Sequence, residues 1–287
     1  MKQNLSKLLT CCACLTMVLC FFSVCDAEVE WRFEDNILLD GKPLDIAISK
    51  DGRTTYILCE KKILIYATLE KKITDIIPIT NNFSQIVMMP DGERLLLTDK
   101  EKNQISVIEV TPVYDIKVGQ SPVIGNKDAR VHIFAFLDFQ CPYCSSAYPV
   151  FDQVLKKYDG KVNLVIKHYP LRSHKFARKL SLAALAADRQ GKYKEMTDLF
   201  YEKKKIDDTT ILQYAQEIGL DMETFNNDIK DPALQRLLSE DVKLSQKVRV
   251  RSVPSLFVNG RVAKNRTVEA LSQLIDKELK KVKPLAK

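Results

Sequence analysis

Asp138-Phe139-Gln140-Cys141-Pro142-Tyr143-Cys144 is the stretch on which the fold turns. It follows Val131-His132-Ile133-Phe134-Ala135-Phe136-Leu137, an apolar run of buried-strand length. It leads into Ser145 to Tyr158, which reads as a helix. Pro142 suits the first helical position, where a missing N–H costs nothing. Cys141 then falls at or near the N-cap, beside free backbone N–H groups and the positive end of the helix dipole. A thiolate is stabilised there. Cys144 lies one turn on, close enough for a small disulfide, with its sulfur deeper. This asymmetry predicts Cys141 as the attacking sulfur and Cys144 as the resolving one.

Other uses of the two thiols fit less well. A structural zinc site needs four ligands. Beyond the leader described below, the chain offers one CxxC, the distant Cys59, and His132, His168 and His174 at no ligand spacing. A structural staple closed within CxxC would be strained. No metal and no cofactor is therefore expected.

Cysteine placement also bears on compartment. Five of the eight cysteines, Cys11, Cys12, Cys14, Cys20 and Cys25, fall in the first 25 residues. Lys2 and Lys7 precede an apolar run with no charge before Asp26. A basic start, an apolar core and the small Ala27 predict a secretory signal peptide over 1–27, against the alternative of an uncleaved membrane anchor. Removing it leaves Cys59, Cys141 and Cys144 in an oxidising compartment. The expected location is the periplasm, or otherwise outside the cytoplasmic membrane.

The 287 residues suggest about two domains. Hydrophobic residues at 46% and charged residues at 28% are an ordinary globular balance, which excludes a disordered or fibrous chain. The net charge of +7 is spread along the sequence, so nucleic acid is not an expected partner.

Two regions differ in pattern. Residues 28–115 read as short strands: Ile46 to Ile48, Thr54 to Cys59, Ile63 to Tyr66, Ile86 to Met89, Leu95 to Thr98 and Ile105 to Val110. Asp51-Gly52 and Asp91-Gly92 mark turns between them. Leu44 to Arg53 aligns with Ser84 to Glu93 at an offset of 40 residues. A period near 40 is the signature of propeller blades, and the pattern resembles the bacterial YVTN-type repeats. Two copies cannot close a ring, which needs at least about four blades. The expectation is a small all-β module of two blade-like repeats, alone or completed by another subunit. Two coincidentally similar meanders are the alternative. Cys59 sits in a strand of this module, as a buried apolar residue or as an intersubunit disulfide.

Residues 116–287 alternate strand and helix. Val162 to Lys167 is a strand, and roughly 174–250 is a helical block with a turn at Gly219. Asn259-Gly260 is a two-residue hairpin signal between Ser255 to Val258 and Arg261 to Ala263. Thr267 to Lys281 closes the chain as a helix capped by Thr267. Pro254, just before a strand, is a natural place for a cis peptide bond, with an ordinary edge-strand proline as the alternative.

Four segments in order resemble the DsbA-like branch of the thioredoxin superfamily over about 120–282. They are Asp138 to Cys144, Lys167-His168-Tyr169-Pro170-Leu171, the Ala-rich Phe176 to Asp188, and Val253-Pro254-Ser255-Leu256-Phe257-Val258-Asn259-Gly260. The resemblance implies an α/β thioredoxin-like domain with a helical insert. It also implies a redox-active Cys141–Cys144 pair and Val253–Pro254 as a cis-Pro loop beside it. Substrates would then be unfolded or reduced exported proteins with cysteines, and a membrane redox partner would reset the pair. Family members often carry a buried Glu six residues before the first cysteine, where this chain has Ala135. Asp138 and Lys167 are the candidate proton relays in its place, with a plain surface lysine at a strand end as the alternative for Lys167.

Direction is a separate question. A CxxC protein oxidises when its reduced form is stabilised. Tyr143 stabilises a thiolate less than a His would, so an oxidant of intermediate strength is expected. Val253 before Pro254 resembles the oxidase-like members, where isomerase-like members more often have Thr. The β module points toward a homo-oligomeric isomerase or reductase, or toward a redox protein dedicated to one bound partner.

Overall fold

The computed structural model describes residues 29–203 and 206–281; the signal peptide expected over 1–27 lies outside them. The chain divides into two units, residues up to 92 with 96–107, and residues 93–95 with 108 onward.

The first unit holds two sheets, the first of them antiparallel. β1 (Pro43–Ile48), β2 (Thr54–Cys59), β3 (Lys62–Ala67) and β4 (Lys72–Pro78) form one sheet in chain order. β5 (Gln85–Met88), β6 (Arg94–Asp99) and β7 (Gln104–Glu109) form a second. The Asp-Gly turns fall where expected, with Gly52 and Gly92 at φ of 71° and 74°. The strand β4 was not expected: Lys72, Thr74 and Asp75 dilute its apolar residues and leave almost all of it exposed. Cys59 is 1% exposed and packs with Ile57, Leu64, Tyr66 and Leu39. It is a core residue of the four-stranded sheet.

The second unit is built on a five-stranded sheet in the order β12-β11-β9-β10-β8. Its strands are β8 (Val123–Gly125), β9 (Val131–Leu137), β10 (Val162–His168), β11 (Ser255–Val258) and β12 (Arg261–Val262). β9 and β10 run parallel in register Val131↔Val162 to Leu137↔His168. Parallel neighbours require a crossover, and α1 (Pro142–Lys157) supplies it. A near-continuous apolar run is what a strand covered on both faces needs, and β9 is buried at every position but His132.

Between β10 and β11 the described residues form five helices: α2 (Ala177–Arg189), α3 (Tyr193–Glu202), α4 (Asp208–Glu217), α5 (Met222–Asp228) and α6 (Pro232–Lys247). They are the helical insert. Asp207, Asp221 and Asp231 cap α4, α5 and α6 by accepting from backbone N–H groups. The closing helix α7 (Val268–Lys281) starts where Thr267 Oγ1 accepts from the Ala270 N–H at 3.2 Å, as expected. Asn259 and Gly260 both have positive φ, 45° and 82°, the two-residue hairpin geometry their sequence predicts. A side chain at Gly260 would collide with the Tyr114 carbonyl, so this turn also admits the segment that enters the unit.

Candidate active site

Each element around the CxxC is fixed by an identifiable local cause. β9 ends at Leu137, and Asp138 follows, fully buried. Its Oδ1 accepts from the Gln140 N–H at 2.7 Å, while Oδ2 accepts from the Leu171 N–H at 2.7 Å. His174 Nδ1 lies 3.0 Å from the same Oδ2. Asp138 thus ties the turn before Cys141 to the 169–174 loop after β10. The Cys141 N–H donates to the Asp138 carbonyl at 3.2 Å. Cys141 is the N-cap of α1, with φ −78° and ψ 119°, and Pro142 takes the first helical position. Both features match the expectation from sequence.

Cys141 is 5% exposed and Cys144 is fully buried. Both are free thiols in this structure. The order of depth is as expected, although Cys141 is far less open than a surface nucleophile would be. Burial pushes the Cys144 thiol well above its ordinary range against the pull of the Asp138 backbone, and the charges of Cys141 and Asp138 add to the rise. Tyr143, by contrast, is 69% exposed.

The distant loop arrives where the sequence placed it. The Val253–Pro254 peptide is cis, and Val253 is buried. The Cys141 thiol lies 3.7 Å from the Val253 carbonyl oxygen, across 112 residues of sequence. β11, starting at Ser255, pairs with β9 through Ser255↔Phe136, which anchors this loop over the end of β9.

Lys167 lies on β10 and is buried. Its Nζ donates to Ser121 Oγ at 2.6 Å and to the Val118 carbonyl at 3.2 Å, and it pairs with Asp241 Oδ1 at 3.5 Å. The plain surface lysine that a strand end suggests is therefore not what the fold contains. Asp241 Oδ2 accepts from the His168 N–H at 2.8 Å. Burial pushes the Asp241 carboxyl up to about 6 against the pull of Lys167. Burial, followed by the Lys167 charge, pushes His168 down to about 3. Asp241 was not picked out from sequence, and His168 entered only as part of a matching segment and as a zinc ligand set aside. Asp241 sits beside Glu240 in a polar stretch of an amphipathic helix, which looks like a solvated face.

These two shifts predict a specific pH dependence. His168 binds a proton in the unfolded chain but not in the fold, so its contribution is present above pH 6.5 and lost as pH falls. Asp241 has the opposite sign: its contribution is present at low pH and lost as pH rises through about 6. Between about pH 6 and 4 the two oppose each other at about 1.4 kcal/mol per unit each and nearly cancel. His168→Gln should unmask Asp241. Its urea midpoint should rise relative to wild type as pH falls from 6 to 4. Parallel curves would show that His168 is charged inside the fold.

Among the described residues, no group of three His, Cys, Asp or Glu side chains is placed to hold a metal ion. No helix among them is long and apolar enough to cross a membrane.

A family model described as thioredoxin matches residues 117–277, more than half of the chain. The chain belongs to this thioredoxin family. Two curated relatives each match about half of the chain. The sodium/proton antiporter NhaA 3 of Salinispora tropica is 32% identical over 155 residues, 52% of this chain and 24% of that one. NhaA 1 of Mycolicibacterium gilvum is 32% identical over 143 residues, 48% of this chain and 23% of that one. This thioredoxin-family chain thus spans about a quarter of the length of the curated relatives it matches. Among solved structures, a thioredoxin-like oxidoreductase from Silicibacter pomeroyi is 28% identical with a TM-score of 0.53, covering 56% of this chain and 94% of that one. BdbD from Bacillus subtilis is 21% identical with a TM-score of 0.53, covering 59% and 98%. The α-DsbA1 of Wolbachia pipientis is 18% identical with a TM-score of 0.51, covering 58% and 94%. The thioredoxin core with its helical insert is thus the DsbA-like fold.

Proposed function

We propose that this chain is an exported thiol-disulfide oxidoreductase that introduces disulfides into folding proteins. Cys141 is its attacking sulfur and Cys144 its resolving one. The observation that carries the reading is the meeting of three parts: two buried free thiols, the first turn of α1 that holds them, and the Val253 carbonyl at 3.7 Å from the Cys141 sulfur.

With the pair oxidised, a substrate thiolate attacks the Cys141 sulfur. The Cys141–Cys144 bond breaks, and its electron pair leaves on Cys144. A second substrate thiolate then attacks the substrate sulfur, closing the substrate disulfide and releasing Cys141 as a thiolate. Two electrons pass from substrate to the pair, and a membrane redox partner removes them. Pro142 sets the helix start, and exposed Tyr143 meets the incoming chain. Val253 and Pro254 provide backbone for that chain to lie against. Asp138 acts on Cys144 through its charge, and its carboxylate holds the neighbouring loop in place. Lys167, bonded to Ser121 and Asp241, supports the sheet beneath the site. The leader 1–27 directs the chain to the periplasm.

A second reading has one observation in its favour. Ile46, Ile48, Ile76, Val87, Ile105 and Val107 are exposed on strands of the first unit. If its two sheets are blade-like repeats, such surfaces suit assembly into an oligomeric isomerase, or the capture of one dedicated partner.

The test is direct. The oxidised protein is mixed with a reduced, unfolded model substrate. Substrate disulfides should form while Cys141 and Cys144 become free thiols in equal amount. Loss of substrate thiols without new protein thiols would contradict the reading.

A further inference from the structure

Three buried side-chain atoms among the described residues have no hydrogen-bond partner: Asp99 Oδ2, His168 Nδ1 and Tyr201 Oη. Leaving a buried hydroxyl unpaired is costly, so its persistence asks for a reason. Tyr201 lies on α3, and its ring is wedged against two residues that flank the cysteines. The Tyr148 ring is 4.6 Å away, and the Phe139 ring is 5.4 Å away, centroid to centroid. Tyr148 follows Cys144 by four residues on α1, hence on the same helix face. Phe139 precedes Cys141 by two. The Tyr148 hydroxyl is already satisfied, by Asp198 Oδ1 at 2.9 Å and Thr197 Oγ1 at 3.1 Å. The Tyr201 hydroxyl, unlike that of Tyr148, thus keeps its proton free to donate. Ala135 is fully buried and brings no acid to the site.

We propose that Tyr201 is a positioning residue for thiol-disulfide exchange, its unpaired hydroxyl donating to the Cys144 sulfur whenever that sulfur carries negative charge. This rests on the reading of Cys141 and Cys144 as an exchanging pair. When the substrate thiolate bonds to Cys141, the electron pair of the broken disulfide leaves on a sulfur with no access to water. In the reverse step the Cys144 thiol gives up its proton and bonds to Cys141. The Cys141–substrate bond breaks, and the substrate leaves as a thiolate that takes up a proton. Both steps pass through a buried Cys144 anion, which a donor stabilises. Tyr201 keeps its own proton throughout. Burial holds its hydroxyl well above the ordinary tyrosine range, and the Cys144 charge is the strongest of the nearby charges acting on it.

The experiment follows resolution of a mixed disulfide between Cys141 and a small aromatic thiol, by release of that thiol, in wild type and in Tyr201→Phe. The variant keeps the ring and its packing. Release should slow by about tenfold to a hundredfold, the range of a hydrogen bond to a charged group, with its pH profile displaced upward. Alkylation of Cys141 in the reduced protein should be unchanged, which a general structural defect would not allow. Tyr148→Phe should resolve at the wild-type rate. A 3-fluorotyrosine at position 201, a stronger donor with the same packing, should accelerate release. Equal release rates in wild type and Tyr201→Phe, or equal slowing of release and alkylation, would overturn the proposal. If wild type itself releases nothing, the exchange reading fails instead.

Discussion

Cys141→Ala is expected to reduce disulfide exchange to the uncatalysed background, a loss on the order of a thousandfold or more. Cys141 is the sulfur at the start of α1 and the one that meets the Val253 carbonyl. Cys144 cannot take over, because it is fully buried and its thiol is held protonated. Cys144→Ser should fail differently. It keeps the attacking sulfur and lacks the resolving one, so mixed disulfides with substrate should accumulate at Cys141 and persist until a reductant is added. Cys59→Ser should exchange at the wild-type rate, since Cys59 is buried in the four-stranded sheet. Non-reducing electrophoresis with mass spectrometry of the trapped adducts separates the three variants. Adducts on Cys59, or exchange surviving in Cys141→Ala, would contradict the assignment.

The second large effect is on stability. Asp241→Ala should destabilise the second unit by about 3–5 kcal/mol, because it strands the buried Lys167 ammonium without its anion. It also removes the acceptor for the His168 N–H. At about 2–4 °C per kcal/mol for a unit of this size, the melting temperature should fall by roughly 6–20 °C. The double replacement Lys167→Met with Asp241→Leu should recover most of that loss, since apolar side chains of similar volume often match a buried pair. Calorimetry of the two variants checks the argument. An Asp241→Ala protein as stable as wild type would mean that water reaches the Lys167 ammonium.

Much of this was legible in the residues, for physical reasons. Val131 to Leu137 is apolar throughout because it lies in the middle of the sheet, and its bounds were readable to the residue. Asn259-Gly260 announced its hairpin because few residue pairs adopt two positive φ values cheaply. Cys141-Pro142-Tyr143-Cys144 announced the helix start and the order of sulfur depth.

What stayed hidden depends on contacts distant in sequence. The edge strand β8 is only three residues long, too short to show a period. β4 carries polar residues because it is exposed, and its pairing with β3 alone defines it. Lys167 could be read equally as a relay or as a surface residue, because its anion, Asp241, lies 74 positions away. Tyr201 reads as one more aromatic on an amphipathic helix, and only the packing of α3 beside Phe139 and Tyr148 reveals its unpaired hydroxyl.

The central claim is that Cys141 and Cys144 interconvert between dithiol and disulfide as an oxidising pair. The reduction potential of the pair tests it most directly, read by equilibrating the protein in glutathione buffers and quantifying Cys141 and Cys144 thiols by mass spectrometry. The account predicts a single two-electron transition between about −120 and about −200 mV, the oxidising part of the range for such proteins. A potential near −270 mV, or failure of the two cysteines to form a disulfide in any buffer, would contradict it.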